Sequence, residues 1–140
     1  MDFNVHTTVS KDPIIVLKEK KSKFELLNEN RINVSKVKVD GGIINCALKK
    51  RCDWILSYNK TNDYALFIEL KGCDLDEAIK QLKATLDYTQ DVYRNHVRQC
   101  FAVTTSVPKF GTSAQRKSRD FYHKTRSTLT IKNTPVKHGI

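Results

Sequence analysis

Hydrophobic and polar positions follow a strand-like pattern through the middle of the chain. β-branched residues interleave with polar ones over residues 32–39, and two apolar segments follow at 52–58 and 64–71, separated by the polar loop 59–63. Such runs, bounded by turn residues, favour strands. The stretch from Ala65 to Ile68 lacks alternation, which is typical of a strand covered on both faces. We therefore expect three consecutive strands, of which the last two form a hairpin.

A helix is predicted directly after the third strand. Asp74 and Glu77 have the spacing of a capping box, which begins a helix by satisfying its free N–H groups. Apolar residues then recur on one helical face, and charged residues fall on the opposite face. The apolar face contains Leu75, Ala78, Ile79, Leu82, Leu86 and Tyr93, and the charged face contains Lys80, Lys83, Asp87 and Asp91. The pattern indicates an amphipathic helix that covers a sheet.

The remaining segments define the fold class. A strand is predicted over 99–106, a helix from Thr112 or Ser113 to about Thr125, and a last strand over 127–131. The first 30 residues allow either a helix or a strand around Phe24. A strand, a helix and a strand in sequence predict a mixed sheet with helices packed on its faces, so we expect an α/β fold.

Length and cysteine content limit the class of protein. The 140 residues favour one domain, with a core at about 32–107 and a basic C-terminal extension at 109–140. No apolar stretch approaches the roughly 20 residues of a transmembrane helix, and no signal peptide is apparent. The four cysteines form no C-x-x-C pair, which disfavours a structural zinc site. We expect a cytoplasmic protein with free thiols that does not associate with membranes.

The charge distribution indicates an anionic partner. The chain has 25 Lys and Arg against 15 Asp and Glu, with a net charge of +10. Residues 18–51 and 109–140 are strongly basic, whereas residues 52–93 carry 8 acidic and 4 basic side chains. A basic excess favours binding to nucleic acid. An acidic centre between basic flanks suggests, in addition, a cation held against a phosphate.

Two acidic residues are expected to meet on neighbouring strands. Asp53 begins the second strand, Glu69 lies near the end of the third, and Lys71 follows on the same face as Glu69. The hairpin loop aligns residue 53 with residue 69, so the two carboxylates become cross-strand neighbours that repel each other. Mg²⁺ or Mn²⁺, together with Lys71, would compensate this repulsion and suit phosphodiester hydrolysis. The alternative is a surface ion-pair cluster at a sheet edge.

This arrangement resembles the PD-(D/E)xK nuclease superfamily. The similarity lies in Asp53, in Glu69-Leu70-Lys71 at the end of an apolar strand, and in the capped helix and strand that follow, over about residues 32–107. It implies a restriction-endonuclease-like α-β-β-β-α-β core, here with an extra C-terminal helix and strand. It also implies Mg²⁺-dependent cleavage of DNA, less often of RNA. By position, Asp53 and Glu69 would bind the metal and Lys71 would be the catalytic lysine.

The resemblance leaves some positions open. Cys52 stands where the motif has a proline. Many members of the superfamily add an acid from the first helix, for which Glu25 and Glu29 are candidates. Asp40, before Gly41, is another candidate for that role and therefore a further possible metal ligand, although an acid before glycine is also typical of a turn.

Two basic segments are candidates for binding phosphates. Lys49, Lys50 and Arg51 precede Asp53 and form either a solvated turn or a phosphate contact. The second set lies in the predicted C-terminal helix and its exit and comprises Arg116, Lys117, Arg119, Lys124 and Arg126. Like charges at such density repel unless an anionic partner is present.

The sequence thus predicts a Mg²⁺-dependent endonuclease that acts on DNA more readily than on RNA. The alternative is a catalytically inactive nucleic-acid-binding module, or an accessory subunit, of the same fold. The chain length is compatible with a homodimer. Trp54, Phe67 and Phe101 are expected in the core rather than as platforms for stacking bases.

Overall fold

The computed structural model describes residues 2–44, 50–70, 74–105 and 112–140. The helices are α1 (Phe3–His6), α2 (Leu75–Tyr88), α3 (Gln90–Tyr93) and α4 (Thr112–Thr125). The strands are β1 (Thr7–Ser10), β2 (Ile14–Glu19), β3 (Ser22–Leu27), β4 (Val34–Lys38), β5 (Trp54–Lys60), β6 (Asn62–Leu70), β7 (Val97–Thr104), β8 (Thr128–Asn133) and β9 (Val136–Gly139). Within these ranges, no helix is long and apolar enough to cross a membrane.

The main sheet has six strands in the order β1-β4-β5-β6-β7-β8. The first four are antiparallel neighbours, whereas β6, β7 and β8 are parallel and are connected through the helices. The mixed sheet and the α/β class are as predicted. The hairpin of β5 and β6 is tighter than expected, because Lys60 pairs with Asn62 and only Thr61, with a φ of 70°, lies between the strands.

A second sheet is formed by the two ends of the chain. β2 and β3 make a hairpin, and β9 pairs with β3 in parallel, so that Phe24 is opposite Val136. The segment treated as a C-terminal extension therefore contributes β8 to the main sheet and β9 to the second. Glu25 lies in β3, and Glu29 follows that strand, so the proposed acid from a first helix has no such helix among the described residues.

The main sheet is covered on both faces, which explains the continuous apolar run in β6. Ala65 and Phe67 belong to the core beneath α2 and α4. Leu66 and Ile68 belong to the core beneath the second sheet, where Phe24 and Phe101 are in edge contact at 5.1 Å between ring centres. Side chains alternate between the faces of a strand, so each core takes every second residue.

The capped helix forms as its sequence predicts. Asp74 Oδ1 accepts a hydrogen bond from the Glu77 N–H at 3.0 Å, and α2 begins at the next residue after this cap. Ala78, Leu82 and Leu86 are buried against the main sheet, and Leu75 and Ile79 are partly buried there. Tyr93, which was predicted on the same helix, lies in α3 because α2 ends at Tyr88. Lys80, Lys83, Asp87 and Asp91 are exposed. The amphipathic pattern therefore correctly predicted which face of α2 packs against the main sheet.

Candidate active site

A cleft opens at the edge of the main sheet where the parallel strands β6 and β7 end. Its volume is about 400 Å³. Its lining residues are Glu19, Lys20, Lys21, Ser22, Asp40, Asp53, Leu70 and Thr105. They come from the tip of the β2–β3 hairpin and from the ends of β4, β5, β6 and β7. In α/β sheets, ligands bind outside the carboxyl ends of the parallel strands, and this cleft has that location.

Asp53 is held between two strands by backbone and side-chain hydrogen bonds. Its N–H donates to the Ile68 carbonyl at 3.1 Å, and its carbonyl accepts from the Val39 N–H at 3.0 Å. Its Oδ2 accepts a hydrogen bond of 2.7 Å from the Leu70 N–H. The neighbouring pair Trp54 and Ile68 has the register that the hairpin predicted. The Asp53 carboxylate is thereby fixed at the floor of the cleft, beside the end of β6.

Glu69 is buried beside Asp53. It is an acidic residue, yet it is only 1% exposed, like the apolar core residues next to it on β6. The Glu69 carboxyl group is close enough to that of Asp53 to lower the pKa of Asp53. When both groups are ionised, two negative charges lie close together in a poorly solvated site, and a bound cation would stabilise them. A surface ion-pair cluster does not describe this arrangement, because Glu69 is out of contact with solvent.

The environment of Asp53 disfavours its charged form. Burial raises the pKa of Asp53 above its usual value, and the nearby carboxylates of Glu19 and Asp40 raise it further. The hydrogen bond from the Leu70 N–H and the proximity of Glu69 lower the pKa of Asp53 but do not cancel the increase. A bound cation would favour the charged form of the Asp53 carboxylate.

Thr85 connects α2 to the strand that carries Asp53. This side chain is fully buried, and its Oγ1 accepts a hydrogen bond of 2.7 Å from the Cys52 N–H. The same hydroxyl donates to the Gln81 carbonyl at 2.9 Å. Cys52 immediately precedes Asp53, so this hydrogen bond to α2 helps to fix the position of Asp53 in the cleft. Burial and the neighbouring Glu69 raise the pKa of the Cys52 thiol, which is therefore inert.

Ion pairs occupy several of the basic residues that the sequence proposed for phosphate binding. Arg51 Nε lies 2.9 Å from Asp40 Oδ1, which places both residues at the margin of the cleft. Lys50 Nζ lies 2.7 Å from Glu77 Oε1 at the start of α2. Asp40 thus borders the cleft as expected of a further acid, but its carboxylate is shared with Arg51. Lys49 lies outside the described residues.

The basic residues of α4 lie apart from this cleft. Lys117 Nζ pairs with Asp76 Oδ1 at 2.7 Å. Lys117 and Lys124 line a separate groove of about 270 Å³ between α2 and α4, together with Lys80 and Lys83. Arg116, Arg119 and Arg126 are exposed. The α4 set therefore forms a second basic surface and does not contribute to the lining of the cleft.

The aromatic residues divide between core and site. Phe67 and Phe101 are buried, as expected. Trp54 is only partly buried, and it lines a smaller pocket of about 190 Å³ with Lys38, Glu19 and Asp53. Lys36 Nζ lies over the Trp54 ring, 4.9 Å from the ring centre. Trp54 is thus a wall of the site as well as part of the core.

Lys71, the expected catalytic lysine, lies outside the described residues. In the part of the chain that the structure does describe, no group of three or more His, Cys, Asp and Glu side chains is arranged to hold a metal ion. Asp53 lines the cleft, and Glu69, which lies beside it but is not a lining residue, would be the second ligand. Mg²⁺ is commonly bound by one or two carboxylates, with water and phosphate oxygens completing its shell, so this pair fits such an ion.

Sequence reasoning missed Glu19, Lys20 and Lys21. They lie in the first 30 residues, where neither a helix nor a strand could be chosen. The signal was the alternation of buried and exposed positions on both sides of Lys20-Lys21, with Leu17 and Phe24 buried. It was obscured because the turn lacks the glycine or asparagine that usually marks a hairpin.

No protein-family model matches the chain, and no curated protein or solved structure is significantly similar to it. The geometry and chemistry of the cleft are therefore the basis for assigning a function.

Proposed function

We propose that this protein is a metal-dependent nuclease that hydrolyses phosphodiester bonds in DNA. The observation that carries the proposal is the carboxyl pair at the end of β6, in which Glu69 is buried and the half-buried Asp53 lines the cleft. A buried carboxyl pair is costly to stability unless it has a partner. A carboxylate that lines a polar cleft, with a second carboxylate beside it, is suited to holding a divalent cation against a phosphate.

Asp53 and Glu69 would hold Mg²⁺ or Mn²⁺, and Lys71 keeps the role of catalytic lysine that the resemblance implies. When bound, the cation stabilises negative charge on the phosphate and lowers the pKa of a coordinated water. The Leu70 N–H orients the Asp53 carboxylate through its hydrogen bond to Oδ2. Thr85 accepts a hydrogen bond from the N–H of Cys52, the residue before Asp53, and thereby fixes the backbone that carries this metal ligand.

The order of elements supports a restriction-endonuclease-like core. Three antiparallel strands, β4, β5 and β6, are followed by α2 and then by β7, which is parallel to β6. This is the β-β-β-α-β part of the expected arrangement. The helix that would precede it is replaced here by α1, which has four residues, and by the β2–β3 hairpin.

A cleavage assay tests the proposal. Purified protein is incubated with plasmid, single-stranded and branched DNA, and with RNA, in Mg²⁺, Mn²⁺ or EDTA. We expect cleavage with either metal and none in EDTA. Glu69→Gln keeps the shape of the buried side chain but removes a metal ligand, so it should lose activity. The proposal is wrong if no substrate is cut, or if Glu69→Gln cuts as fast as the wild type.

A second candidate is a nucleic-acid-binding module of the same fold without catalysis. It is favoured by the limited ligand set, since Asp40 is paired with Arg51 and no trio of metal-binding side chains occurs in the described ranges. This candidate predicts binding to the same DNA substrates without cleavage in any metal. The assay above, combined with a binding measurement, separates the two functions.

A further inference from the structure

The tip of the β2–β3 hairpin forms one wall of the cleft. Glu19 pairs with Ser22 at the last register position, and Lys20 and Lys21 make the two-residue turn between the strands. All four residues line the cleft together with Asp53 and Leu70. Lys20 and Lys21 are exposed, whereas Ser22 is buried. The turn therefore directs two cationic side chains to the opening of an acidic site.

The hairpin is firmly attached to the rest of the molecule. Leu17 and Phe24, near its tip, are 1% and 0% exposed, and both belong to the core shared with the main sheet. β9 pairs with β3 along the other side. The Lys23 N–H donates a hydrogen bond of 2.8 Å to Thr134 Oγ1, which joins the tip to the segment before β9. The turn is consequently held in place beside Asp53.

The charges around the cleft explain why cations are needed there. A phosphate that approaches Asp53 also meets the carboxylates of Glu19 and Asp40, which are close enough to raise the pKa of Asp53. Arg51 is already engaged by Asp40 at 2.9 Å. A second phosphate of the same strand would be repelled unless it met positive charge. Lys20 and Lys21 supply that charge at the lip of the cleft.

We propose that the β2–β3 hairpin tip, Lys20 and Lys21, is a clamp that binds the sugar–phosphate backbone of DNA next to the carboxyl pair. This inference rests on the proposed action on nucleic acid, and it assigns the grip to the hairpin rather than to α4. Lysine contacts a phosphate as a point charge without reading base identity. The clamp is therefore expected to act on any sequence.

The test is a binding titration of the full chain with a short fluorescent DNA duplex in EDTA, which prevents metal-dependent cleavage. The variant is Lys20→Asn combined with Lys21→Gln. Lys20 has a φ of 50°, and asparagine tolerates this left-handed conformation, so the turn should be retained. The matched control is Lys11→Gln with Lys60→Gln, because both lysines are exposed at the opposite end of the sheets and the same charge is removed.

We expect the hairpin variant to bind at least about tenfold more weakly at low salt, because it loses charge-assisted contacts. Across about 50 to 200 mM KCl, its plot of log affinity against log salt should be shallower by roughly one to two units, since each phosphate contact contributes nearly one. The control should retain most of the wild-type affinity and slope. Circular dichroism and thermal unfolding should be unchanged in both variants.

The clamp is overturned if the two double variants lose affinity equally, if neither loses affinity, or if the wild type does not bind the duplex. It is also overturned if Arg116→Ala with Arg119→Ala reduces the salt dependence and the hairpin variant does not. Cleavage in Mg²⁺ is measured separately. Hairpin-dependent binding without cleavage would refute the nuclease and leave the clamp standing, whereas cleavage with hairpin-independent binding would do the reverse.

Discussion

The two ends of the β5–β6 hairpin carry acidic residues in opposite environments. At the closed end, Asp63 is exposed and its Oδ1 accepts a hydrogen bond of 2.8 Å from Asn59 Nδ2. At the open end, Asp53 is half-buried and lies beside Glu69, which is 1% exposed. The first arrangement costs little, because water solvates the charge. The second opposes folding, because burial disfavours each charge and the two charges repel.

This difference separates structural from functional acids within one pair of strands. Exposed polar groups at a turn need no further explanation. A buried carboxyl pair that destabilises the chain persists where a ligand offsets the cost, and perturbed carboxyl groups concentrate at functional sites for this reason. The comparison therefore directs the following experiments to Asp53 and its surroundings, with Asp63 as the internal control where Asp53 itself is changed.

Exchange of aspartate for asparagine at each end should have the largest effect on activity. Asp53→Asn removes a metal ligand, and we expect cleavage to fall by more than about 100-fold, since loss of mere outer-shell partners already costs 10–100-fold. Asp63→Asn should stay within about twofold of the wild type. Initial rates on plasmid DNA in Mg²⁺ measure both variants. Equal activity of the two variants would remove the functional distinction between the ends.

Metal should stabilise the fold through the open end. An ion that binds only the native state adds about 2.7 kcal/mol at a concentration 100 times its Kd. We expect Mg²⁺ or Mn²⁺ to raise the Tm of the wild type and of Asp63→Asn, but not of Asp53→Asn. The metal-free Tm of Asp53→Asn should exceed that of the wild type, because the buried charge is gone. A metal response retained by Asp53→Asn would contradict the assignment.

Thr85 should stabilise the open end of the β5–β6 hairpin, where Asp53 lies. Thr85→Val preserves the volume but leaves the buried Cys52 N–H without its acceptor, which should cost about 1–3 kcal/mol of unfolding free energy. Thr128→Val, at an exposed position of β8, should change stability by less than about 0.5 kcal/mol. Urea unfolding measures both. Equal stability of Thr85→Val and the wild type would show that α2 does not fix the approach to Asp53.

The smallest expected effect is on the pH dependence of stability without metal. The pKa of Asp53 is raised in the folded state from its usual value of 3.8, so the folded protein binds this proton more tightly than the unfolded chain. Its contribution to stability therefore falls as pH rises from 3.8 through the folded pKa, and is constant above it.

Urea unfolding in EDTA over that pH range should show a flatter profile for Asp53→Asn than for the wild type. Asp63→Asn should show the same change in unfolding free energy across this pH range as the wild type. Parallel profiles for the wild type and Asp53→Asn would mean that the pKa of Asp53 is not raised as the structure indicates.

Sequence patterns anticipated the regular part of the fold. The i, i+4 spacing of Ala78 and Leu82 and the cap at Asp74 were sufficient to predict α2, because an amphipathic face and a cap are local properties. The tight pairing of Trp54 with Ile68 followed from hairpin symmetry alone. The main-sheet α/β class followed from the order of these elements.

The N-terminal hairpin could not be predicted because its turn has no turn-forming residue. Lys20-Lys21 in a chain with many lysines resembles a solvated segment, and only the packing of Leu17 and Phe24 on the main sheet selects the paired conformation. Glu25 fell into β3 rather than a helix for the same reason. β9 was likewise not recognised, since a four-residue strand is defined by its partner β3.

The sequence by itself determined the acidic pair, its register and the helix behind it, because strand period and helix caps act over a few residues. Only the tertiary structure decided what surrounds that pair. It brought Glu19 and Lys20, more than 30 positions before Asp53, to the same cleft, and it engaged Arg51 and Lys117 in ion pairs with Asp40 and Asp76. Such contacts depend on how two sheets pack, and packing is a property of the whole buried surface rather than of any local pattern.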